Sequence, residues 1–199
     1  MDLILMRHPA LAIAEGVCYG ALDVALAEPP EQGARALMQR LHRLGAPAPD
    51  AMQSSPLTRA AAVTAALAAQ WGRDGGGVWH SDERLREMNF GTWEGQRWDA
   101  IERAALEAWA ADLLGARPHG GESVAQVSAR VGQWLAAVSS HDDAVLHAVT
   151  HAGVMRVLAA QALALPLEHC LAWPLETGRI VWLRRARAGQ SWSLLHWNA

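Results

Sequence analysis

Arginine and histidine side chains fall at the ends of three predicted strands, where they could act on an anionic group. Arg7 and His8 follow a run of four apolar residues, and Arg59 lies just beyond a second short apolar segment. His151 follows the apolar stretch 144–150, the strongest strand candidate in the chain. Arginine forks two parallel hydrogen bonds onto a phosphate or carboxylate, and histidine changes its protonation state near neutral pH. These residue types therefore indicate a site for an anionic substrate.

Short apolar segments alternate with amphipathic ones along the chain, a pattern that predicts an α/β fold. The predicted strands cover residues 3–6, 52–54, 78–80, 144–150, 178–184 and 191–197. The predicted helices cover residues 31–44, 55–71, 97–114, 123–138 and 154–163. We expect a three-layer α/β/α sandwich with a mostly parallel sheet, to which the carboxyl-terminal segment adds antiparallel strands. In such sheets ligands bind at the carboxyl ends of the strands, so the arginines and histidines above should meet at one edge.

Composition limits the class of protein. All 17 basic side chains are arginines, so a Walker A loop, a Schiff-base lysine and a kinase lysine are excluded. The net charge of −3 gives no reason to expect a nucleic-acid partner, and no apolar run approaches the roughly 18 residues of a membrane span. Cys18 and Cys170 show neither a CxxC nor a metal-ligand spacing, and no secretory signal is apparent. We expect a single cytoplasmic domain over residues 1–199, without a metal or other cofactor and of undetermined oligomeric state.

The loop at residues 85–95 carries two carboxylates that could serve as a proton donor. Glu87 and Glu94 both lie among apolar anchors that would fix the loop against the protein. Glu87 could instead be a structural ion-pair partner of Arg84 or Arg86. Residue types alone leave these alternatives open.

Four motifs, in this order, resemble those of the histidine phosphatase superfamily, the phosphoglycerate-mutase-like group. They lie at residues 6–9 (MRHP), 54–60 (SSPLTRA), 85–95 (LREMNFGTWEG) and 149–154 (VTHAGV). Together they span most of the chain, which makes the resemblance specific. Within the superfamily, residues 16–24 (GVCYGALDV) and 120–123 (GGES) are similar to the branch that includes α-ribazole phosphatase.

The resemblance implies a role for each of these residues. His8 is implied as the nucleophile that forms a phosphohistidine, with its other ring nitrogen held by a backbone carbonyl. The phosphoryl oxygens are implied to be bound by Arg7, Arg59 and His151. Glu87 is implied as the acid that protonates the leaving group, whereas the resemblance gives Glu94, the rival acid, a structural role.

The sequence departs from the family pattern directly after the nucleophile. Pro9, Ala10 and Leu11 stand where the family has a glycine and polar donors to the phosphate. The loop around Tyr19 and Gly20 is the candidate substitute, and we expect these two residues to contact substrate. Farther along the chain, Trp98 or Trp109 could stack on a heterocyclic substrate, and mid-strand His147 should be buried core.

The implied function is a metal-independent phosphomonoesterase that acts on a small-molecule phosphate ester. The favoured substrate is α-ribazole 5'-phosphate, in cobalamin biosynthesis. A broad-specificity phosphatase and a phosphoglycerate-mutase-like enzyme are alternatives, although the segment 95–121 is short for an insertion that encloses a mutase substrate. An alternative from another class is a non-catalytic domain that binds a phosphate ligand.

Overall fold

Strand β1 (Asp2–Arg7) lies inside the central sheet of the computed structural model, which describes residues 1–71, 79–140, 144–187 and 189–199. The other strands are β2 (Ala51–Ser54), β3 (Trp79–Ser81), β4 (Val145–Thr150), β5 (Ile180–Arg184) and β6 (Ser193–His196). Their order across the described sheet is β3-β2-β4-β1-β5-β6. The pairings from β3 to β1 are parallel, and β5 and β6 extend the sheet through antiparallel pairings. The strand predicted at 78–80 is thus found at Trp79–Ser81; Val78 lies outside the described residues.

The helices cover both faces of this sheet. They are α1 (Pro30–Arg43), α2 (Thr58–Trp71), α3 (Arg103–Ala111), α4 (Val124–Val138), α5 (Ala152–Ala162) and α6 (Leu167–Leu171). Short 3-10 turns lie at Glu83–Leu85, Gly91–Trp93 and Trp98–Ala100. Helix α4 begins with a capping box, in which the Ser123 hydroxyl accepts from the Gln126 N–H and the Gln126 side chain accepts from the Ser123 N–H.

Two hydrophobic cores lie between the three layers, one on each face of the sheet. Successive side chains of a strand point to opposite faces, so Leu3 and Leu5 enter a core with α4 and α5, while Ile4 and Met6 enter a core with α1 and α2. Both faces of β1 are therefore buried, which explains its unbroken apolar run. The predicted three-layer sandwich is confirmed.

Two predicted helices depart from the observed bounds by more than two residues. The helix predicted from Ser55 starts at Thr58, because the Ser55 hydroxyl accepts from the Leu57 N–H and turns the chain before the helix begins. The helix predicted over 97–114 is divided into a 3-10 turn and α3. Ile101 adopts an extended conformation between them and is buried in a small core with Cys18 and Trp93.

Within the described ranges, no helix is both long enough and apolar enough to cross a membrane.

Candidate active site

The His8 imidazole lies at the carboxyl end of β1 and is almost fully buried, with 1% of its surface exposed. Its Nδ1 lies 2.8 Å from the Pro9 carbonyl oxygen, which can only accept a hydrogen bond. Burial, together with the nearby Arg59 and Arg7, lowers the pKa of His8 to about 3 and outweighs the raising effect of the Pro9 bond. The ring is therefore neutral at physiological pH, with its proton on Nδ1 and a free lone pair on Nε2.

His151 is the N-cap of α5 and packs beside His8, with 5.2 Å between the ring centroids. Both of its nitrogens have protein partners: Arg59 Nε lies 3.3 Å from Nδ1, and Ser55 Oγ lies 2.8 Å from Nε2. Burial, and then the neighbouring His8 and the arginines, holds the pKa of His151 well below its usual range. This ring is also neutral.

Two guanidinium groups flank the histidines. Arg59, in the first turn of α2, is fully buried and donates to the carbonyl oxygens of Leu22 and Gly20 at 2.6 and 2.5 Å. Arg7 donates to the Leu175 carbonyl oxygen at 2.5 Å and to the Tyr19 hydroxyl at 3.2 Å. Neither arginine forms an ion pair with any residue that the structure describes, although the Glu87, Asp23 and Glu94 carboxylates act on Arg59 from a longer distance. Both arginines therefore bring positive charge to the site without a directly bonded carboxylate. Such a site favours an anion.

Glu87 reaches the same site from the loop that follows β3. Its Oε2 accepts a hydrogen bond from the Gly153 N–H, in the first turn of α5, and its Oε1 accepts from the Met88 N–H, both at 3.1 Å. Arg84 pairs with Asp82, and Arg86 pairs with Glu83. The alternative that makes Glu87 their ion-pair partner is therefore wrong.

Glu94 has a different setting. Its Oε1 accepts hydrogen bonds from the backbone N–H groups of Ala21 and Phe90, at 2.8 and 2.9 Å, and so ties two loops together. A Cβ at Gly20 would lie 2.5 Å from this oxygen and 2.5 Å from the Met88 carbonyl oxygen, so glycine is required there. Tyr19 and Gly20 line a cavity that Arg7 and Glu87 also line, whereas Glu94, His8, Arg59 and His151 do not line it.

A cavity of about 380 Å³ opens next to Arg7 and Glu87. Its wall is largely apolar and is formed in part by Phe90, Trp98, Trp109, Val124, Val127, Val157, Leu167 and Leu171. Trp98 and Trp109 stack on one another, with ring centroids 6.4 Å apart and an interplanar angle of 20°. The two tryptophans singled out from the sequence therefore do lie on the wall of the cavity.

Arg156 is a cavity residue that the sequence analysis missed. It lies in α5 four residues after Ala152 and three after Gly153, so it faces the same cavity, and helical spacing from these two residues could have revealed it. Its guanidinium donates to the Trp173 carbonyl oxygen at 3.0 Å. Burial and the neighbouring Arg7 lower the pKa of Arg156.

The mid-strand His147 is fully buried, and its Nε2 lies 3.1 Å from the Pro47 carbonyl oxygen, as expected for a core histidine. Across the part of the chain that is described, no group of three or more histidine, cysteine or carboxylate side chains is placed to hold a metal ion.

Comparison with known proteins gives a family match over nearly the whole chain. A family model described as histidine phosphatase superfamily (branch 1) matches residues 3–199. The glucosyl-3-phosphoglycerate phosphatase of Mycobacterium tuberculosis (strain CDC 1551 / Oshkosh) is 31% identical, over 86% of this chain and 78% of its own length. The protein of the same name from Mycolicibacterium vanbaalenii is 30% identical, over 99% of this chain and 94% of its own length.

Solved structures agree with this match. The mycobacterial glucosyl-3-phosphoglycerate phosphatase superposes with a TM-score of 0.81 at 28% identity, covering 100% of this chain and 98% of the other. The α-ribazole phosphatase of Shigella flexneri superposes with a TM-score of 0.83 at 24% identity, covering 100% and 96%. At that identity, the second likeness speaks for the fold alone.

Proposed function

Because the chain belongs to the histidine phosphatase superfamily (branch 1) and is a phosphoric monoester hydrolase, we propose that it hydrolyses a small phosphate ester through a phosphohistidine at His8. One observation carries this assignment: a buried, neutral His8 with a free Nε2 lies close to Arg7 and Arg59, and neither arginine forms an ion pair with a described residue. A neutral imidazole can approach a phosphate dianion without charge repulsion. The arginines supply the attraction that brings the dianion there.

In the first step, His8 Nε2 attacks phosphorus while the bond from phosphorus to the ester oxygen breaks. The bond from Nδ1–H to the Pro9 carbonyl fixes the tautomer and supports the positive charge that develops on the ring. The departing oxygen takes its proton from the carboxyl group of Glu87. The products are an alcohol and the phosphorylated His8.

In the second step, water attacks the phosphohistidine. Glu87, now a carboxylate, accepts the proton of that water, and the P–N bond breaks to release inorganic phosphate. His8 leaves as the neutral imidazole with which the cycle began. The same side chain is thus acid in one step and base in the next.

We propose that the phosphoryl oxygens are bound by Arg7, Arg59 and His151. A guanidinium carries five N–H donors, and each arginine uses only some of them on protein acceptors. Donors therefore remain for a phosphoryl group, each worth about 1.5–3 kcal/mol as a hydrogen bond to a charged group. We propose the Tyr19 hydroxyl, which accepts a hydrogen bond from Arg7, and the Gly20 backbone as substitutes for the polar donors that are missing after His8; both residues line the cavity that Arg7 and Glu87 line.

The wall of the cavity favours α-ribazole 5'-phosphate as the substrate. The leaving group must occupy the cavity beside Glu87, which offers aromatic and aliphatic side chains and few hydrogen-bonding groups. A flat, apolar heterocycle gains contact area there, whereas a polyhydroxylated sugar would leave its hydroxyl groups without partners. The reaction would then belong to cobalamin biosynthesis.

Glucosyl-3-phosphoglycerate is the second candidate, and Arg156 is the observation that favours it. Its guanidinium on the cavity wall has no acidic partner among the described residues and could bind the carboxylate of a glycerate. The relatives at 30–31% identity carry the name of this activity.

A substrate panel tests the proposal. We expect phosphate release, with the highest kcat/KM for α-ribazole 5'-phosphate, and no conversion of 3-phosphoglycerate into its isomer. Trp109→Ala should raise KM for the ribazole ester more than for p-nitrophenyl phosphate. A higher kcat/KM for glucosyl-3-phosphoglycerate, lost in Arg156→Met, selects the second candidate. Binding of esters without phosphate release would identify a non-catalytic phosphate-binding domain.

We further propose that residues 1–199 act as a single domain in the cytoplasm. The sheet that carries the site uses strands from both ends of the chain, and the two cysteines are free and buried, as suits a reducing compartment.

A further inference from the structure

We propose that the ion pair between Arg130 and Glu122 is a positioning device for Glu87, which holds the segment carrying this carboxylate in place for proton transfer. This inference rests on the acid role proposed for Glu87. Neither Arg130 nor Glu122 lines the apolar cavity next to Arg7 and Glu87, so the ion pair acts through the segment that it binds.

Arg130 projects from α4 onto the segment that leads to Glu87. Its Nη1 donates to the carbonyl oxygens of Arg84 and Arg86, at 2.8 and 2.7 Å. Its Nη2 makes a longer contact of 3.4 Å with the carbonyl oxygen of Glu87 itself. A single guanidinium therefore binds three carbonyls within four consecutive residues.

Glu122 completes the arrangement from the other side. Its two carboxylate oxygens accept from Arg130 Nε and Nη2, at 2.8 and 3.0 Å, in a bidentate pair. The same carboxylate accepts from the Asn89 N–H at 3.0 Å, and the Glu122 N–H donates to the Asn89 carbonyl at 2.8 Å. Glu87 is thus bracketed by tethered residues on both sides.

A second cavity explains why such tethering is needed. Glu87 lines not only the apolar cavity but also a polar one of about 350 Å³, which Arg86, Asn89, Glu122 and Arg130 help to form. The Arg86 guanidinium, which pairs with the exposed Glu83, lines that side, so a displaced Glu87 carboxylate would meet a cation there. Without the ion pair, the Glu87 carboxylate can move toward the polar cavity and away from the leaving group.

The test compares two esters in single turnover, with enzyme in excess and alcohol release followed by rapid quench. Arg130→Met keeps an unbranched side chain of similar length but removes every donor. We expect it to slow the reaction of an alkyl phosphate about 10- to 100-fold, as misplacement of a catalytic group does, and that of p-nitrophenyl phosphate by less than about 3-fold. Arg103→Met, which breaks the exposed Arg103–Glu107 pair of α3, is the matched control and should change neither rate.

A double variant separates positioning from a general structural effect. In a Glu87→Gln background the proton donor is already absent, so adding Arg130→Met should leave the ratio of the two rates unchanged. An added, multiplicative loss for the alkyl ester in the double variant would overturn the proposal. Equal slowing of both esters by Arg130→Met alone would overturn it as well.

If Arg130→Met does not fold, Glu122→Gln gives the same test, because it keeps the size of the side chain and removes the charge that holds Arg130. We expect a smaller loss, about 3- to 10-fold, again confined to the alkyl ester. If Glu87→Gln itself slows both esters alike, it is the acid role of Glu87 that fails. Glu87→Gln could slow only the alkyl phosphate while Arg130→Met and Glu122→Gln slow both esters alike. That result would reject the positioning role and leave the acid role of Glu87 in place.

Discussion

Arg59 Nε lies 3.3 Å from Nδ1 of His151, so a direct hydrogen bond joins two of the proposed phosphate-binding residues. A guanidinium only donates, which makes Nδ1 the acceptor and places the proton of the neutral ring on Nε2. That proton points to Ser55 Oγ at 2.8 Å. A phosphoryl oxygen can replace Nδ1 as the acceptor for Arg59. The Ser55 hydroxyl can then donate to Nε2 instead of accepting from it. The proton of His151 can thereby move to Nδ1, where it faces the phosphate.

Replacement of Ser55 should therefore disturb His151. We expect Ser55→Ala to lower the free energy of unfolding by about 1–3 kcal/mol, because the buried Nε2–H loses its acceptor. The ¹⁵N shifts of the His151 ring, measured with and without inorganic phosphate, should no longer show a clean change of tautomer. Ser54→Ala is the matched control, since Ser54 is equally buried but its hydroxyl, among the described residues, bonds only the Ser55 carbonyl. Identical ring shifts in wild type and Ser55→Ala would contradict this role.

His8 should carry the covalent intermediate. Acid quenching destroys phosphohistidine, so we expect a base-stable, acid-labile phosphoenzyme in the wild type that is lost, together with turnover, in His8→Ala. His80→Ala, which replaces an exposed histidine of β3, should retain both. An adduct that persists in His8→Ala would assign the nucleophile to another residue.

Metal removal should leave the reaction intact. In the proposed mechanism arginines meet the charge on the phosphate, and the described residues form no metal-binding cluster. We expect the same kcat/KM before and after dialysis against EDTA. Loss of activity that returns when a divalent ion is added would show that the arginines do not suffice.

Acid should destabilise the fold through its buried histidines. Burial lowers the pKa of His147 to about 4, against 6.5 for an exposed histidine. Between these two values the unfolded chain binds a proton that the folded chain does not, so stability falls as the pH drops from 6.5 toward 4. At pH 5 the low pKa of His147 lowers the free energy of unfolding by about 2 kcal/mol.

The variant His147→Gln measures the contribution of His147 to this loss of stability. The glutamine amide can still donate to the Pro47 carbonyl but does not titrate. Urea unfolding at pH 7 and pH 5 should show a smaller loss of stability in the variant than in the wild type, by about 2 kcal/mol. An equal loss in both proteins would mean that His147 does not contribute.

Local pattern was sufficient to predict the elements that carry the site. The run before His8 is wholly apolar and the one before His151 largely so, because β1 and β4 are buried on both faces. These two strands are parallel, which brings their carboxyl ends to one edge. Contacts between residues that are far apart in the sequence leave no local pattern that could predict them. Ser55 contacts His151, which lies 96 residues later in the sequence. Ile101 interrupts a helical pattern only because it packs in a core with Cys18 and Trp93. Helix propensity could not have revealed either one.

The acid role of Glu87 can be separated from the nucleophilic role of His8 by the choice of leaving group. Glu87→Gln keeps the size of the side chain and an acceptor for the Gly153 N–H, but it cannot transfer a proton. An alkoxide leaves poorly without protonation, so the single-turnover rate for an alkyl phosphate should fall by about 10²–10⁴, the range of general acid catalysis. A p-nitrophenolate leaves readily, and its rate should fall much less. Glu94→Gln is the matched control: it retains the oxygen that accepts from Ala21 and Phe90, so both rates should stay near the wild-type values. Equal losses for the two esters in Glu87→Gln, or a selective loss in Glu94→Gln, would move the acid role from Glu87 to Glu94.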